Sequence, residues 1–144
     1  MYTHTESKIL PYTAQQMFEL VIAVDRYPQF LPWCIGARIN ERGQSELHAD
    51  VIVGYKMFRE KFTSRVHFNS PGRIEVDYLK GPLRHLQNRW IFKDEGKACR
   101  VDFYVEFDFH SPVFQKLLDQ FFDRAISKMV GAFEERAGEL YQQP

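Results

Sequence analysis

The chain has no excess charge: nineteen Lys and Arg residues balance nineteen Asp and Glu residues. That removes the whole-molecule attraction for nucleic acid or anionic lipid that a strongly basic domain exerts, and DNA is not expected as a partner. No apolar run approaches the ~18 residues of a membrane span. The N-terminal stretch Met1-Tyr-Thr-His-Thr-Glu-Ser also lacks the basic-then-apolar pattern of a secretory signal, so a soluble, cytoplasmic protein is expected. There are two cysteines, Cys34 and Cys99, in no paired or metal spacing, and both are expected reduced. The five histidines, His4, His48, His67, His85 and His110, lack metal-type spacing, and the last four fall on the solvent side of their strands. A Gly-rich phosphate loop, a Gly-x-Ser-x-Gly elbow and paired carboxylates on an apolar face are all missing. No metal, no catalytic cofactor and no catalytic residue is therefore expected.

Aromatic residues are plentiful, at 15% of the chain with thirteen phenylalanines. Such a content suits a cavity walled by rings, and also suits a phenylalanine-rich core with no ligand. The 144 residues are enough for one domain, 1–144, with a single sizeable core. Tyr27-Pro-Gln-Phe-Leu-Pro-Trp-Cys34 crowds three aromatics, a leucine and two prolines into one short segment. Prolines so close forbid a regular helix or a central strand and predict a stiff apolar connection.

The apolar period changes near Thr13 and again near Ser111. After an N-terminal strand, Thr13 caps a predicted helix whose apolar face is Met17, Leu20, Val21 and Val24. From about Ile35 to Phe109 the pattern alternates and is broken by turn signals at Glu41-Arg-Gly43, Asn69-Ser-Pro-Gly72, Lys80-Gly-Pro82 and Asp94-Glu-Gly96. This predicts six strands paired consecutively and antiparallel. A last helix is predicted from Ser111-Pro112 towards Tyr141, ~40 Å long at ~1.5 Å per residue.

Strand parity separates a dry face from a wet one. Val101, Phe103, Val105, Phe107 and Phe109 point one way, with Leu86, Asn88, Trp90 and Phe92 and with Phe62, Ser64, Val66 and Phe68 on neighbouring strands. Leu47, Ala49, Val51, Val53 and Tyr55 continue that surface. The last helix offers a wide stripe including Phe114, Leu117, Leu118, Phe121, Phe122, Ala125, Ile126, Met129, Val130 and Phe133. The expected fold is α+β: a curved antiparallel sheet wrapped around a long C-terminal helix, with short N-terminal helices and space between helix and concave face.

The Tyr27–Cys34 segment, the stretch Gly81-Pro-Leu-Arg-His-Leu-x-Asn-x-Trp90 and the phenylalanine-rich strand before a long helix resemble the Coq10/RatA family of START-like, helix-grip proteins. The likeness spans essentially the full chain. It implies non-catalytic binding of ubiquinone or a similar isoprenoid quinone, as a carrier or chaperone supporting respiratory electron transport. For some bacterial members it implies instead a toxin that binds the large ribosomal subunit and blocks subunit association, and fold and motif do not separate the two. The wider superfamily adds cyclases and dehydratases.

A quinone tail needs an apolar trough, and its head needs donors for the carbonyl oxygens. The expected lining is Phe30, Trp33, Tyr55, Phe62, Ser64, Val66, Leu86, Asn88, Trp90, Phe103, Phe107, Phe114, Leu118, Phe121, Phe122 and Met129, with the head near Asn88 and Trp90. For a cyclase the sole candidate acid is Glu60, whose parity, like that of Arg84, is inward near a strand end. For ribosomal RNA, Arg59, Lys61 and Arg65 share the outer side of one strand, with Arg89 nearby. A transient membrane contact, at the cytoplasmic face of the inner membrane, would use Phe30-Leu31-Pro32-Trp33 and Tyr55-Lys56-Met57-Phe58, neither of which has a basic surround in sequence.

Overall fold

A computed structural model describes residues 1–55, 57–110, 112, 115, 116 and 121–142. In chain order these form β1 (Tyr2–Leu10), α1 (Ala14–Ile22), a 3-10 helix (Val24–Gln29), β2 (Cys34–Arg42), β3 (Glu46–Tyr55), β4 (Phe58–Asn69), β5 (Arg73–Lys80), β6 (Leu83–Glu95), β7 (Ala98–Phe109) and α2 (Phe122–Tyr141). Six strands follow one another between Cys34 and Phe109, as the alternation predicts; four of the five turns fall at the expected Gly and Pro signals, and the β3–β4 turn after Tyr55 has none of them. The sheet order is β1-β7-β6-β5-β4-β3-β2 with every pair antiparallel. The meander is thus closed on one side by β1, which lies against β7. The predicted cap at Ser111 lies outside the described residues, and the described helix has twenty residues, about 30 Å of rise.

Local chemistry sets the helix ends and turns. The Thr13 hydroxyl accepts from the Gln16 N–H while the Gln16 side chain accepts from the Thr13 N–H, a complete capping box. The proline segment is more ordered than a plain connection: its first part, with Pro28, lies in the short 3-10 helix, and the Phe30 and Leu31 N–H groups donate back to the Tyr27 carbonyl. At the far end of β6 a register shift between Leu83 and His85 makes Arg84 an extra residue. Leu83 therefore turns inward and is buried, and Arg84 lies exposed beside Asp108 at 3.9 Å. The inward parity expected of Arg84 is corrected by this bulge.

The core fills one end of the concave face. Trp90 packs its ring against Phe103 at 4.5 Å, Phe133 at 5.0 Å and Phe92 at 6.2 Å between centroids. Phe133 on α2 also meets Tyr27 and Phe30, each at 5.3 Å and edge-on. Met17, Leu20 and Val21 of α1 close this end from below and are almost fully buried. Tyr141 at the end of α2 donates its hydroxyl to the Gln16 carbonyl at 3.0 Å, tying the two helices together.

At the other end of α2, Phe122 packs on Phe107 at 4.4 Å and on Tyr2 at 5.4 Å between centroids, and polar contacts add to the fastening. His4 lies 2.8 Å from Glu6 and 3.2 Å from Asp123, and the Ser127 hydroxyl donates to Glu6 at 2.7 Å. Partial burial disfavours the charge on Glu6, yet the Ser127 and His4 contacts outweigh it and hold the carboxyl below its ordinary value. Lys8 and Glu134 add a 2.9 Å ion pair between β1 and α2.

Truncating the ring hub, Phe133→Ala, is expected to cost about 3–5 kcal/mol of stability, read as a lower urea midpoint. A depressed carboxyl stabilises the fold above its unfolded value, 4.5 for Glu6, and that contribution disappears as pH falls through the folded value. The urea midpoint should therefore fall on acidification below that value, and less steeply in Glu6→Gln; parallel curves would remove Glu6 from the account.

Candidate functional site

Burial thins towards the end of the sheet away from the ring hub. Along β3, Leu47 and Ala49 are buried, Val51 and Val53 half-buried and Tyr55 exposed; along β4, Val66 is buried, Ser64 and Phe62 half-buried and Glu60 exposed. The packed rings of the core give way here to partly exposed side chains on the inner sheet face.

The result is a cavity of about 720 Å³. β3 and β4 contribute Val53, Tyr55, Glu60 and Phe62, and the β5–β6 turn contributes Pro82 and Leu83. Phe109 and His110 close the side at the end of β7, and Trp33 stands where the proline segment enters β2. From the helix side come Phe121, Arg124, Ala125 and Lys128, spaced as one face of a helix. The lining is mainly apolar, with its charges gathered at the rim.

Two backbone features shape the walls. Trp33 has φ 66°, the one positive value among the described non-glycine residues, a conformation costing roughly 1–3 kcal/mol. It is held by the Gly54 N–H, which donates to the Trp33 carbonyl at 2.8 Å, and by the Lys128 ammonium 5.4 Å from the ring centroid. Gly81, with φ 152°, leaves no room for a side chain: a Cβ there would lie 2.8 Å from the Tyr78 oxygen and 2.9 Å from the Lys61 carbonyl. The Tyr78 hydroxyl accepts from the Leu83 N–H at 2.8 Å and so fixes the turn that carries Pro82 and Leu83.

Of the residues expected to line a cavity, Trp33, Tyr55, Phe62 and Phe121 come together here. Ser64, Leu86 and Asn88 lie half-buried further along the inner faces, and the Asn88 Oδ1 has no hydrogen-bond partner among the described residues. Val66, Trp90, Phe103, Phe107 and Phe122 are buried in the packed core, and Met129 packs against it half-buried. Next to Trp90 and Phe103 the free space is only about 10 Å³. Phe30 packs on Tyr27 and Phe133 rather than at the cavity. Phe114 and Leu118 lie outside the described residues. Glu60, nominated for acid chemistry, is an exposed rim residue.

A family profile described as polyketide cyclase / dehydrase and lipid transport matches residues 10–134. The chain belongs to this family. Among its relatives, the ribosome association toxin RatA of Pseudomonas aeruginosa is 37% identical, covering 98% of this chain and 99% of its own length. The coenzyme Q-binding protein COQ10 homolog B, mitochondrial, of Xenopus laevis is 31% identical and covers 96% of this chain and 59% of its own length. The solution structure of an 18 kDa protein of Caulobacter crescentus, at 42% identity and a TM-score of 0.79, covers 99% of this chain and all of its own. A START superfamily protein of Mycobacterium smegmatis has a TM-score of 0.83 at 16% identity, covering 97% and 99% of the two chains, a likeness of fold alone. The curved sheet and C-terminal helix are thus the helix-grip fold of this family.

Sequence parity missed His110, Pro82, Leu83, Arg124 and Lys128. His110 reaches the opening because β7 ends at Phe109, beyond which alternation no longer applies. Leu83 turns in because of the Arg84 bulge. The two cations were legible in principle, since Phe121, Arg124, Ala125 and Lys128 share one face of a helical wheel, but an apolar stripe is drawn by leaving charges out.

Both thiols are removed from this surface. Cys34 and Cys99 are buried and unbridged, and burial, with Asp94 nearby, pushes Cys99 up to about 11. Trp33 and Trp90 are the two tryptophans, and Trp33 alone borders the cavity. A small apolar quencher that partitions into the cavity should quench native emission and lose most of that effect in Trp33→Phe; equal quenching in the variant would show that the quencher reaches Trp90 rather than this cavity.

Proposed function

We propose that this protein binds an isoprenoid quinone, ubiquinone in the first instance, in the cavity between α2 and the sheet, and serves as a carrier or chaperone in electron transport without chemical turnover. The observation that carries the reading is the cavity itself: about 720 Å³ bounded mainly by rings and aliphatic side chains. That size is within the range of small-molecule sites, about 300–1,000 Å³. Apolar area transferred there from water contributes about 25 cal/mol per Å². Tyr55 at the lining, and Ser64 and Asn88 further along the inner faces, are the uncharged polar groups for the carbonyl oxygens of the head. The name of the amphibian relative supports a quinone as the cargo.

Acid–base chemistry has little support. Glu60 is the one carboxylate among the described cavity residues, and it is exposed at the rim, where water competes for any proton it would transfer. The cyclases of similar fold have about 15% identity and support the architecture only.

A second reading is favoured by one finding: relatives called ribosome association toxin match this chain nearly end to end. On that reading the protein binds the large ribosomal subunit and blocks subunit association through the outer sheet face. The basic residues there are partly engaged already, with Arg65 3.3 Å from Glu46 and Arg89 over the Tyr104 ring at 5.3 Å. That engagement lowers the charge on offer to phosphates.

Native mass spectrometry with lipid extraction, on protein made in quinone-producing cells, tests both. The expected result is bound quinone in the wild type and in Glu60→Gln, and loss of it in Ala125→Trp, which fills the cavity from the helix side. An empty wild-type cavity together with co-sedimentation on large ribosomal subunits would replace the carrier reading with the second one.

A further inference from the structure

We propose that the rim of the cavity is a docking surface for a bilayer containing anionic lipid. Two large apolar side chains stand exposed at the opening, Tyr55 at 55% and Phe121 at 53%, and Met57, two residues beyond Tyr55 in the β3–β4 turn, is exposed at 96%. Single exposed apolar residues are ordinary, but a turn that continues the lining of an apolar cavity outward extends it into a patch. Tyr55 and Phe121 are themselves part of the lining, so the patch is continuous with the interior.

Charge chooses the partner. Arg124 and Lys128 line the same opening one helical turn apart, and neither has a carboxylate within ion-pair distance among the described residues. Some basic side chains elsewhere are matched, Lys8 with Glu134, Arg65 with Glu46 and Arg100 with Asp102 among them. Among the described residues around the opening, Arg124 and Lys128 face the single carboxylate of Glu60, which leaves the rim a local positive excess that the chain's zero net charge conceals. Apolar side chains surrounded by cations fit the interfacial region of an anionic membrane, where the former enter the acyl boundary and the latter meet phosphates.

Other occupants fit less well. A second copy related by a two-fold axis would set this positive patch against itself. A nucleic acid would meet the cations but leave Met57 without an apolar partner. A bilayer satisfies both sets, and it is also where an apolar cargo would be collected. The inference leans on the quinone reading for that purpose only.

The test is flotation of purified full-length protein with vesicles of phosphatidylcholine alone and of two parts phosphatidylcholine to one part phosphatidylglycerol. Each cation near an anionic surface is worth about fivefold in partitioning, so roughly tenfold or better preference for the anionic vesicles is expected, lost at high salt. Arg124→Gln with Lys128→Gln should abolish the preference, and Met57→Ser should lower binding to both vesicle types several-fold. Met57 is nearly fully exposed, so its replacement should leave the unfolding midpoint unchanged. Equal partitioning into the two vesicle types, or variants that bind as the wild type does, would overturn the proposal. So would a dimer, or co-sedimentation with ribosomal subunits, that the same variants abolish while vesicles go unbound. Lipid extraction run alongside separates the two readings: cargo present without vesicle binding sinks the docking surface alone, and vesicle binding with an empty cavity sinks the carrier alone.

Discussion

The ring contact between Trp90 on β6 and Phe133 on α2 is the constraint on which the rest depends. It brings helix and sheet together at one end, with Tyr27, Phe30, Phe92 and Phe103 gathered around it. A second ring contact, Phe122 on Phe107 at 4.4 Å, holds the start of α2 to β7, and the open space lies on the β3–β4 side. The cavity is therefore a result of where the large side chains are placed, and needs no separate device to hold it open.

That division also sorts the two halves of the proline segment. Tyr27 and Phe30 belong to the pinned end, where they meet Phe133, while Trp33 belongs to the open one. Leu31, buried between them, anchors the passage. The strained backbone at Trp33 stands where these two roles meet, and two contacts from different elements keep the residue there.

Much of the architecture could be read from the residues. Period-two alternation broken by Gly and Pro gave most of the strand limits, and the Thr13 cap with the apolar face after it gave the first helix, because these are local signals with local causes. The dry face was also legible, and on β7 it is buried from Val101 to Phe107 as parity requires. Parity could not say how deep along a strand the core extends. Phe103 and Phe62 look alike in sequence; one is sealed against Trp90 and the other borders open space, since that depends on which helix residues lie opposite. The Arg84 bulge was beyond reach for a similar reason, as a one-residue excess shows only once the partner strand is fixed. Charge had the same difficulty: Arg124 and Lys128 are remote in sequence from Tyr55 and Met57, and only the fold makes them one rim.

The position of β1 has a consequence for how the chain comes together. Strands β2 to β7 each pair with the strand before or after them in sequence, so each ladder closes over a short turn. β1 pairs with β7, setting Tyr2 opposite Phe107, and closing that pair spans most of the polypeptide. To find its place β1 must close the longest loop of any strand pair in the sheet. Until it does, β7 is an uncovered edge, and Lys8 and His4 cannot reach Glu134 and Asp123 on the helix. The N-terminal strand acts as the closing seam of the molecule.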